Sequence, residues 1–326
     1  MKFVNYDITV VLCCYNSFNR LQPTLEHLHR QKLDSNISWE LILIDNNSND
    51  KTSEFAQKTW NSFNSNVSFK IFVEPLSGLS NARKKGVNSA KGEVLIFCDD
   101  DNWLDEHYLQ IAYDFMKEHP SVGVLGGKGE AVSSIEFPDW FTSYQASYAL
   151  GVQNIETGKI NSRGYVWGSG MVVRTREILN LYNSGFSSLL SGRKGANLNA
   201  GDDSEICKWF LLVEKDLFFN EQLLFKHYIE PFRLTVEYYK KLNKGFQLSG
   251  TIINQYDFIL FLLKKRKKSS FLNFISLFGV FLFERNLTNI KVLLEFLNFT
   301  PFVFHEQTKK ILKSRESFIN NTNALS

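Results

Sequence analysis

Val94-Leu-Ile-Phe-Cys-Asp-Asp-Asp101 places five apolar residues directly before three consecutive carboxylates, and this stretch decides the fold. A short apolar run bounded by polar residues is typical of a strand that is buried on both faces. Neighbouring carboxylates repel one another, so an acidic run at the end of such a strand indicates a site rather than an ordinary turn. The stretch therefore predicts a buried strand whose carboxyl end carries chemistry.

The sequence before residue 94 alternates in the same way between apolar runs and amphipathic stretches. Ile8–Cys14, Trp39–Ile44 and Val67–Val73 are predicted to be strands. The predicted helices around them are Leu21–Leu33, Thr52–Phe63, Leu79–Ala90 and Asp105–Glu118. Alternating strands and helices predict an α/β fold, with a mostly parallel sheet flanked by helices on both faces. Sheets of this kind bind ligands at the carboxyl ends of their strands.

The alternation ends near residue 120. Val122–Gly127 and Trp167–Val173 are predicted strands on either side of an irregular aromatic segment. A loop rich in Gly and Ser then precedes a predicted helix at Asp203–Val213, and the pattern is helical from about residue 234 onward. We therefore expect an α/β domain over residues 1–235 and a helical C-terminal extension over residues 236–326.

Composition excludes several classes of protein. The chain has 326 residues, of which 44% are hydrophobic and 22% charged, as in globular rather than disordered proteins. Its net charge of +3 is too small for a nucleic-acid binder that works through bulk charge. We expect no secretory signal and no membrane span. The four cysteines contain no CxxC pair and lie in or beside apolar segments, which predicts buried, reduced thiols in a cytoplasmic protein.

The acidic run at the end of the fourth predicted strand suits a divalent cation. Carboxylate oxygens, together with substrate phosphates, are the ligands that Mg²⁺ or Mn²⁺ prefers in proteins. The alternative is that Asp101 or Asn102 caps the following helix. Capping explains one acidic residue but not three in a row.

Three stretches together resemble one known family. Gly78–Asn102 is similar to the donor-binding region of family 2 glycosyltransferases, which have the GT-A fold, and so are Val10–Asn16 and Glu40–Asp50. The resemblance covers residues 6–235 and is of the bacterial surface-polysaccharide type. It implies a catalytic domain that binds a nucleotide-sugar and transfers the sugar to a hydroxyl acceptor, with inversion at the anomeric carbon. A UDP-sugar is the first choice of donor. The acceptor it implies is a saccharide or a lipid-linked saccharide.

The resemblance also assigns roles on the donor side of the site. It implies that the nucleotide-sugar is bound by Tyr15, Asn16, Asp45, Arg83, Asp99 and Asp100. It makes Asp101 the principal metal ligand, with Asp99 and His227 as further ligands. Two assignments have alternatives: Asp45 as part of a polar turn that caps its own backbone, and Arg83 as a solvated residue on an exposed helix face.

The acceptor side rests on Gly201-Asp-Asp-Ser-Glu205, which opens a predicted helix. The resemblance makes Asp203 the general base, and an N-cap is the alternative. Asp202, Trp167 and Arg193 are assigned to the acceptor or sugar. Trp167 as a core residue and Arg193 as an exposed loop cation are the alternatives to those assignments.

The C-terminal extension departs from the family pattern. Lys264–Lys268 is a basic cluster directly before the apolar, aromatic segment Phe271–Phe283. Such a pair suits peripheral contact with the inner face of an anionic cell membrane, where lipid-linked acceptors lie. A helical subdomain packed on the catalytic domain, or a dimer interface, is the alternative.

Two other functions are open at this point. A nucleotidyltransferase acting on sugar phosphates also uses paired carboxylates and Mg²⁺, but it needs an early Gly-rich phosphate loop where this chain has Cys13–Ser17. A non-catalytic carbohydrate-binding protein would keep the fold alone, and the presence of both Asp101 and Asp203 argues against it.

Overall fold

The computed structural model describes residues 6–193, 200–266 and 306–323. A nine-stranded sheet with helices on both faces forms its centre, which confirms the predicted α/β class. The predicted helix at 271–283 lies outside the described residues, and so does the end of the basic cluster at 267 and 268.

The first part of the sheet is parallel, as predicted. It contains β1 (Tyr6–Cys14), β2 (Trp39–Asp45), β3 (Ser68–Val73) and β4 (Gly92–Asp99), in the order β3-β2-β1-β4. The connecting helices are α1 (Leu21–His29), α2 (Thr52–Ser62) and α3 (Leu79–Ser89). Because these strands point the same way, the loop after β1 and the acidic run after β4 meet at one edge of the sheet.

The second part of the sheet is mixed. Its elements are β5 (Asn102–Leu104), α4 (Tyr108–Glu118), β6 (Val122–Val132), α5 (Phe141–Tyr144), β7 (Gly158–Lys159), β8 (Val172–Arg174), α6 (Thr175–Asn183), α7 (Asp202–Leu212), β9 (Asp216–Tyr228), α8 (Val236–Arg266) and α9 (Glu306–Asn323). β8 runs antiparallel to β4 and β6, whereas β9 is parallel to β6 and antiparallel to β5 and β7. The expectation of a mostly parallel sheet thus holds for the first part only, since a strand's direction is set by its tertiary connections.

β1 contributes alternate side chains to two cores. Val10 and Leu12 pack with α1, α2 and α4, whereas Val11 and Cys13 pack with α3, α6 and α7. A strand covered on both faces must be apolar throughout, which is the pattern of residues 8–14. All four cysteines are free and buried, as predicted. Among the described residues, no helix has the length and apolar character needed to cross a bilayer.

α8 is held against α7 by polar contacts inside an apolar interface. The Tyr256 hydroxyl donates to Glu205 at 2.8 Å and accepts from Trp209 Nε1 at 3.1 Å. The Lys208 ammonium, which is 3% exposed, pairs with Asp257 at 2.6 Å. Because buried polar groups are costly without partners, these bonds specify how α8 lies on the domain.

Glu205 should make the free energy of unfolding depend on pH. Burial raises its pKa from 4.5 to about 7, although hydrogen bonds from Leu189, Tyr256 and Leu190 oppose that change. An acid with a higher pKa in the folded state binds more protons there. The free energy of unfolding therefore falls, on the order of 3 kcal/mol, as the pH rises between those two values, and it levels off above the higher one.

Glu205→Gln should flatten that fall, as measured by urea unfolding between pH 5 and pH 8. Glu237→Gln, an exposed change on α8, is the matched control and should keep the wild-type profile. A profile that Glu205→Gln leaves unchanged would show that another group causes the dependence.

Candidate active site

A cavity of about 970 Å³ opens at the carboxyl ends of β1 and β4. Its walls come from the loop after β1, the start of α3, the acidic run, the start of α7 and one side of α8. The predicted site residues that line it are Tyr15, Asn16, Arg83, Asp99, Asp100, Asp101, Trp167, Arg193, Asp202, Asp203 and His227. Asp101, in the acidic run, and Asp203, in the first turn of α7, therefore line one cavity.

The carboxylate of Asp101 contacts two side chains that come much later in the sequence, His227 and Arg233. Its Oδ2 lies 3.0 Å from Arg233 Nη1 and 3.3 Å from His227 Nε2, and its Oδ1 accepts from Asn102 Nδ2 at 3.1 Å. Burial raises the pKa of Asp101, but His227 and Arg233 outweigh it and hold the pKa well below its usual range. The carboxylate is therefore ionised at neutral pH.

His227 is oriented through its second ring nitrogen. Nδ1 lies 2.8 Å from the carbonyl oxygen of Tyr148, which can only accept, so this nitrogen carries a proton. Nε2 is then the ring nitrogen that faces Asp101. His227 is 5% exposed and belongs to β9, a strand that the sequence did not predict.

Arg83 connects two sides of the cavity. Its Nη1 donates to Asp202 at 2.6 Å, its Nη2 lies 3.9 Å from Asp99, and its guanidinium lies over the ring of Phe97. It is 2% exposed, so the alternative of a solvated helix residue is wrong. Burial raises the pKa of Asp99 to about 6 even though Arg83 lowers it. The carboxylate of Asp202 is occupied by Arg83 rather than free for an acceptor.

Asp203 keeps part of its carboxylate free in the cavity. Oδ2 accepts from the backbone N–H of Gly168 at 2.8 Å, and Oδ1 accepts from the N–H of Ser204 at 2.6 Å and from its hydroxyl. A carboxylate has about four acceptor sites, so one is left for a ligand.

Asp45 is placed differently from the expectation. One carboxylate oxygen accepts from the Ser48 N–H at 2.9 Å and the other from the Ser53 hydroxyl, and Asp45 does not line the cavity. The polar-turn alternative describes these contacts. The next residue, Asn46, lines the cavity instead and accepts from the Gly78 N–H at 2.7 Å.

Asp100 has its carboxylate occupied by protein groups. Arg20 donates to it from Nε at 3.0 Å and from Nη2 at 2.7 Å, and the Ser17 hydroxyl donates to it as well. The same guanidinium donates to the carbonyl oxygens of Tyr15 and Asn16. Asp100 therefore fixes the loop after β1 through three hydrogen bonds, while it still lines the cavity.

Sequence reasoning missed Arg20 because its carboxylate partner lies 80 residues away along the chain. It also missed the contribution of the C-terminal extension to the site. The residues of that extension that line the cavity are Tyr238, Lys241, Phe246, Ser249, Gly250 and Ile253. An aromatic and cationic wall on α8 has no local sequence signal, since amphipathic helices look alike whether they cover a core or a cavity.

Trp167 and Arg193 sit at the inner wall and the mouth of the cavity. Trp167 is 6% exposed, and its backbone N–H donates to Gln153 at 2.9 Å. Arg193 is exposed, and its carbonyl oxygen accepts from the Leu79 N–H at 3.3 Å. Both residues line the cavity, and the guanidinium of Arg163 lies 4.8 Å from the centre of the Trp167 ring.

The chain is similar to known proteins in sequence and in fold. Residues 9–163, just under half of the chain, match the sequence model of glycosyl transferase family 2. The cholesterol galactosyltransferase of Borreliella burgdorferi is 33% identical over 112 residues, which span 34% of this chain and 30% of that protein. TarS, a poly(ribitol-phosphate) β-N-acetylglucosaminyltransferase of Staphylococcus aureus, is 25% identical over 271 residues, which span 79% of this chain and 39% of that protein.

A solved structure shows the same fold. The S. aureus TarS fragment 1–349 in complex with UDP-GlcNAc matches with a TM-score of 0.55 at 16% identity. The match covers 98% of this chain and 92% of that chain. The chain thus has the GT-A fold over its described length, and it spans between 30% and 39% of the lengths of the two relatives named above.

Proposed function

We propose that this protein transfers a sugar from a nucleotide-sugar donor, preferentially a UDP-sugar, to a hydroxyl group of a saccharide or lipid-linked acceptor, with inversion. The observation that carries the proposal is that Asp101 and Asp203 line one cavity at the carboxyl edge of the sheet. The UDP-GlcNAc complex of TarS supports a UDP-sugar as donor. The setting we propose is cytoplasmic synthesis of a surface polysaccharide or another glycoconjugate by a catalytic domain over residues 1–235.

Tyr15 and Asn16 are the residues we propose for the nucleotide. Tyr15 lines the cavity with 40% of its surface exposed, so its ring is available to a base. Arg20 holds both carbonyl groups of this loop in place, which preorganises it before the donor binds. We assign Asn46 rather than Asp45 to the same subsite, because Asn46 lines the cavity and Asp45 does not.

Asp101 and His227 fit a divalent ion that is bound together with the donor. They offer a carboxylate oxygen and an imidazole nitrogen 3.3 Å apart, a mixed donor set that suits Mn²⁺ better than Mg²⁺, since Mg²⁺ prefers oxygen ligands alone. No group of three or more His, Cys, Asp and Glu side chains meets at one point in the described ranges, so diphosphate oxygens and water would complete the shell. When bound, the ion would neutralise the charge that develops on the diphosphate.

Arg233 is suited to the diphosphate itself. It is 3% exposed, and its Nε and Nη2 have no hydrogen-bond partner within the described part of the chain. A buried cation with unpaired donors at a cavity wall is expected to bind an anion.

Asp203 acts as the general base in this proposal. Its carboxylate takes the proton from the acceptor hydroxyl while that oxygen forms a bond to the anomeric carbon of the sugar. The bond from that carbon to the nucleoside diphosphate breaks, and the diphosphate leaves with the electron pair. One carboxylate in hydrogen-bond reach of the hydroxyl is sufficient for such a single displacement.

Donor binding tests the proposal directly. UDP together with Mn²⁺ should raise the midpoint of thermal unfolding more than GDP or dTDP does. A ligand at one hundred times its Kd adds about 2.7 kcal/mol to the free energy of unfolding, which is readily measured. Uridine, which lacks the diphosphate, is the matched control and should give a smaller rise. If none of these nucleotides raises the midpoint, with or without Mn²⁺, the proposed function is wrong.

A further inference from the structure

Gly168 lies between two groups that the proposed function uses. Its backbone N–H donates to Oδ2 of Asp203 at 2.8 Å. On its other side, the nearest atoms to a Cβ added at this position all belong to the guanidinium of Arg83, at 2.3, 3.1 and 3.2 Å. One residue therefore contacts both the carboxylate proposed as the base and the arginine that pairs with Asp202 and approaches Asp99.

The need for glycine here comes from Arg83 and not from the backbone. The φ angle of Gly168 lies outside the left-handed region, whereas that of Gly170 is +69°. An alanine at position 168 would adopt the same backbone conformation without strain, and only the guanidinium stands in the way of its methyl group.

Arg83 cannot move aside without losing its partner. Its guanidinium is 2% exposed, bonded to Asp202 at 2.6 Å and placed 5.5 Å from the centre of the Phe97 ring. A methyl group 2.3 Å from Nη2 requires a displacement of that atom by about 1 Å, because heavy atoms in contact lie about 3.5 Å apart. The side chain that yields is therefore Arg83, and the contacts that change are those to Asp202 and Asp99.

We propose that Gly168 is a positioning residue for sugar transfer: its N–H holds Asp203, and its missing side chain makes the space in which Arg83 reaches Asp202 and Asp99. This inference rests on the proposed function of Asp203. It predicts that a methyl group at position 168 impairs the reaction through Arg83, although the methyl group itself points at no substrate.

The test compares Gly168→Ala in two backgrounds. In the wild-type background it should lower kcat for sugar transfer by about 10²-fold, since a displacement of about 1 Å in the catalytic geometry costs that much, and kcat should fall more than KM for the donor rises. Lysine keeps a positive charge for Asp202 but lacks the branch that the methyl group meets. In the Arg83→Lys background, Gly168→Ala should therefore cost less than about threefold.

The matched control is Gly158→Ala on β7, outside the cavity, where the nearest atoms to an added Cβ lie at 3.5 and 3.8 Å. It should leave kcat and KM unchanged. Equal losses for Gly168→Ala in both backgrounds would overturn the inference, because the effect would then not pass through Arg83. No loss in the wild-type background would overturn it as well.

Thermal unfolding separates this inference from the proposed function. If the wild-type protein neither binds UDP nor transfers sugar, the proposed function fails. The contact is then judged by stability alone: Gly168→Ala should lower the unfolding midpoint in the wild-type background and leave it nearly unchanged in the Arg83→Lys background. Lowering by the same amount in both backgrounds would show that Gly168 does not make space for Arg83.

Discussion

Replacing Asp203 by Asn is expected to lower kcat for sugar transfer by about 10²–10⁴-fold, the usual contribution of a general base. The amide has the same shape and can still accept the hydrogen bond from the Gly168 N–H, but it cannot take a proton from the acceptor. Because Asp203 is proposed to contact the acceptor hydroxyl and not the nucleotide, the affinity for UDP should stay within about threefold of wild type. Steady-state release of UDP measures the first quantity, and titration calorimetry measures the second.

Asp114→Asn is the matched control, since Asp114 is exposed on α4 and does not line the cavity. It should have no effect on kcat. If Asp203→Asn retains wild-type turnover, Asp203 is not the base. If the wild-type protein binds sugar nucleotides but turns none over, the alternative of a carbohydrate-binding protein with the same fold is favoured.

Asp101→Asn should change both stability and metal response. The substitution leaves the charge of Arg233, which is 3% exposed, without its carboxylate partner. Breaking a buried ion pair in this way lowers the free energy of unfolding by about 3–5 kcal/mol. The same change removes the proposed metal ligand, so the gain in UDP affinity that Mn²⁺ brings to the wild-type protein should be lost. Urea unfolding and UDP titrations with Mn²⁺ or EDTA measure the two effects.

A double variant separates these effects. Arg233→Met in the Asp101→Asn background removes the unpaired charge and keeps a side chain of similar length, so much of the stability should return. The Mn²⁺ response should not return, because the ligand is still missing. A Mn²⁺ effect on UDP affinity that is equal in Asp101→Asn and wild type would show that the ion is not held by Asp101.

Local pattern was sufficient for the residues at the ends of predicted elements. Asp101 follows a buried strand and Asp203 opens a helix, and the resemblance to family 2 glycosyltransferases assigned both to the site. His227 was a weaker assignment because a lone histidine is more often structural, and the bond from Nδ1 to the Tyr148 carbonyl, which orients it, spans 79 residues. The site roles themselves stay predictions until the variants above are measured.

Asp45 and Arg83 show where the same pattern misleads. Asp45 ends a buried strand at the correct edge of the sheet, but its oxygens are bonded to Ser48 and Ser53 close by. Arg83 lies on a helix that could have exposed it, yet it is buried against Asp202, 119 residues further on. In both cases the number of free hydrogen-bonding positions decides what the side chain can bind, and sequence position does not give that number.

The sequence by itself determined the α/β class, the alternation of strands and helices along the parallel part of the chain, and the edge of the sheet at which the carboxylates gather. These properties follow from apolar periodicity and from polar residues at strand ends, which are local. Only the tertiary structure decided which carboxylates are paired and which keep a free oxygen, and that α8 lines the cavity. Pairing depends on contacts between distant parts of the chain, such as that of Arg233 with Asp101, which are 132 residues apart. Because an unpaired charge is costly when it is buried, the tertiary structure determines which partner each charged side chain has.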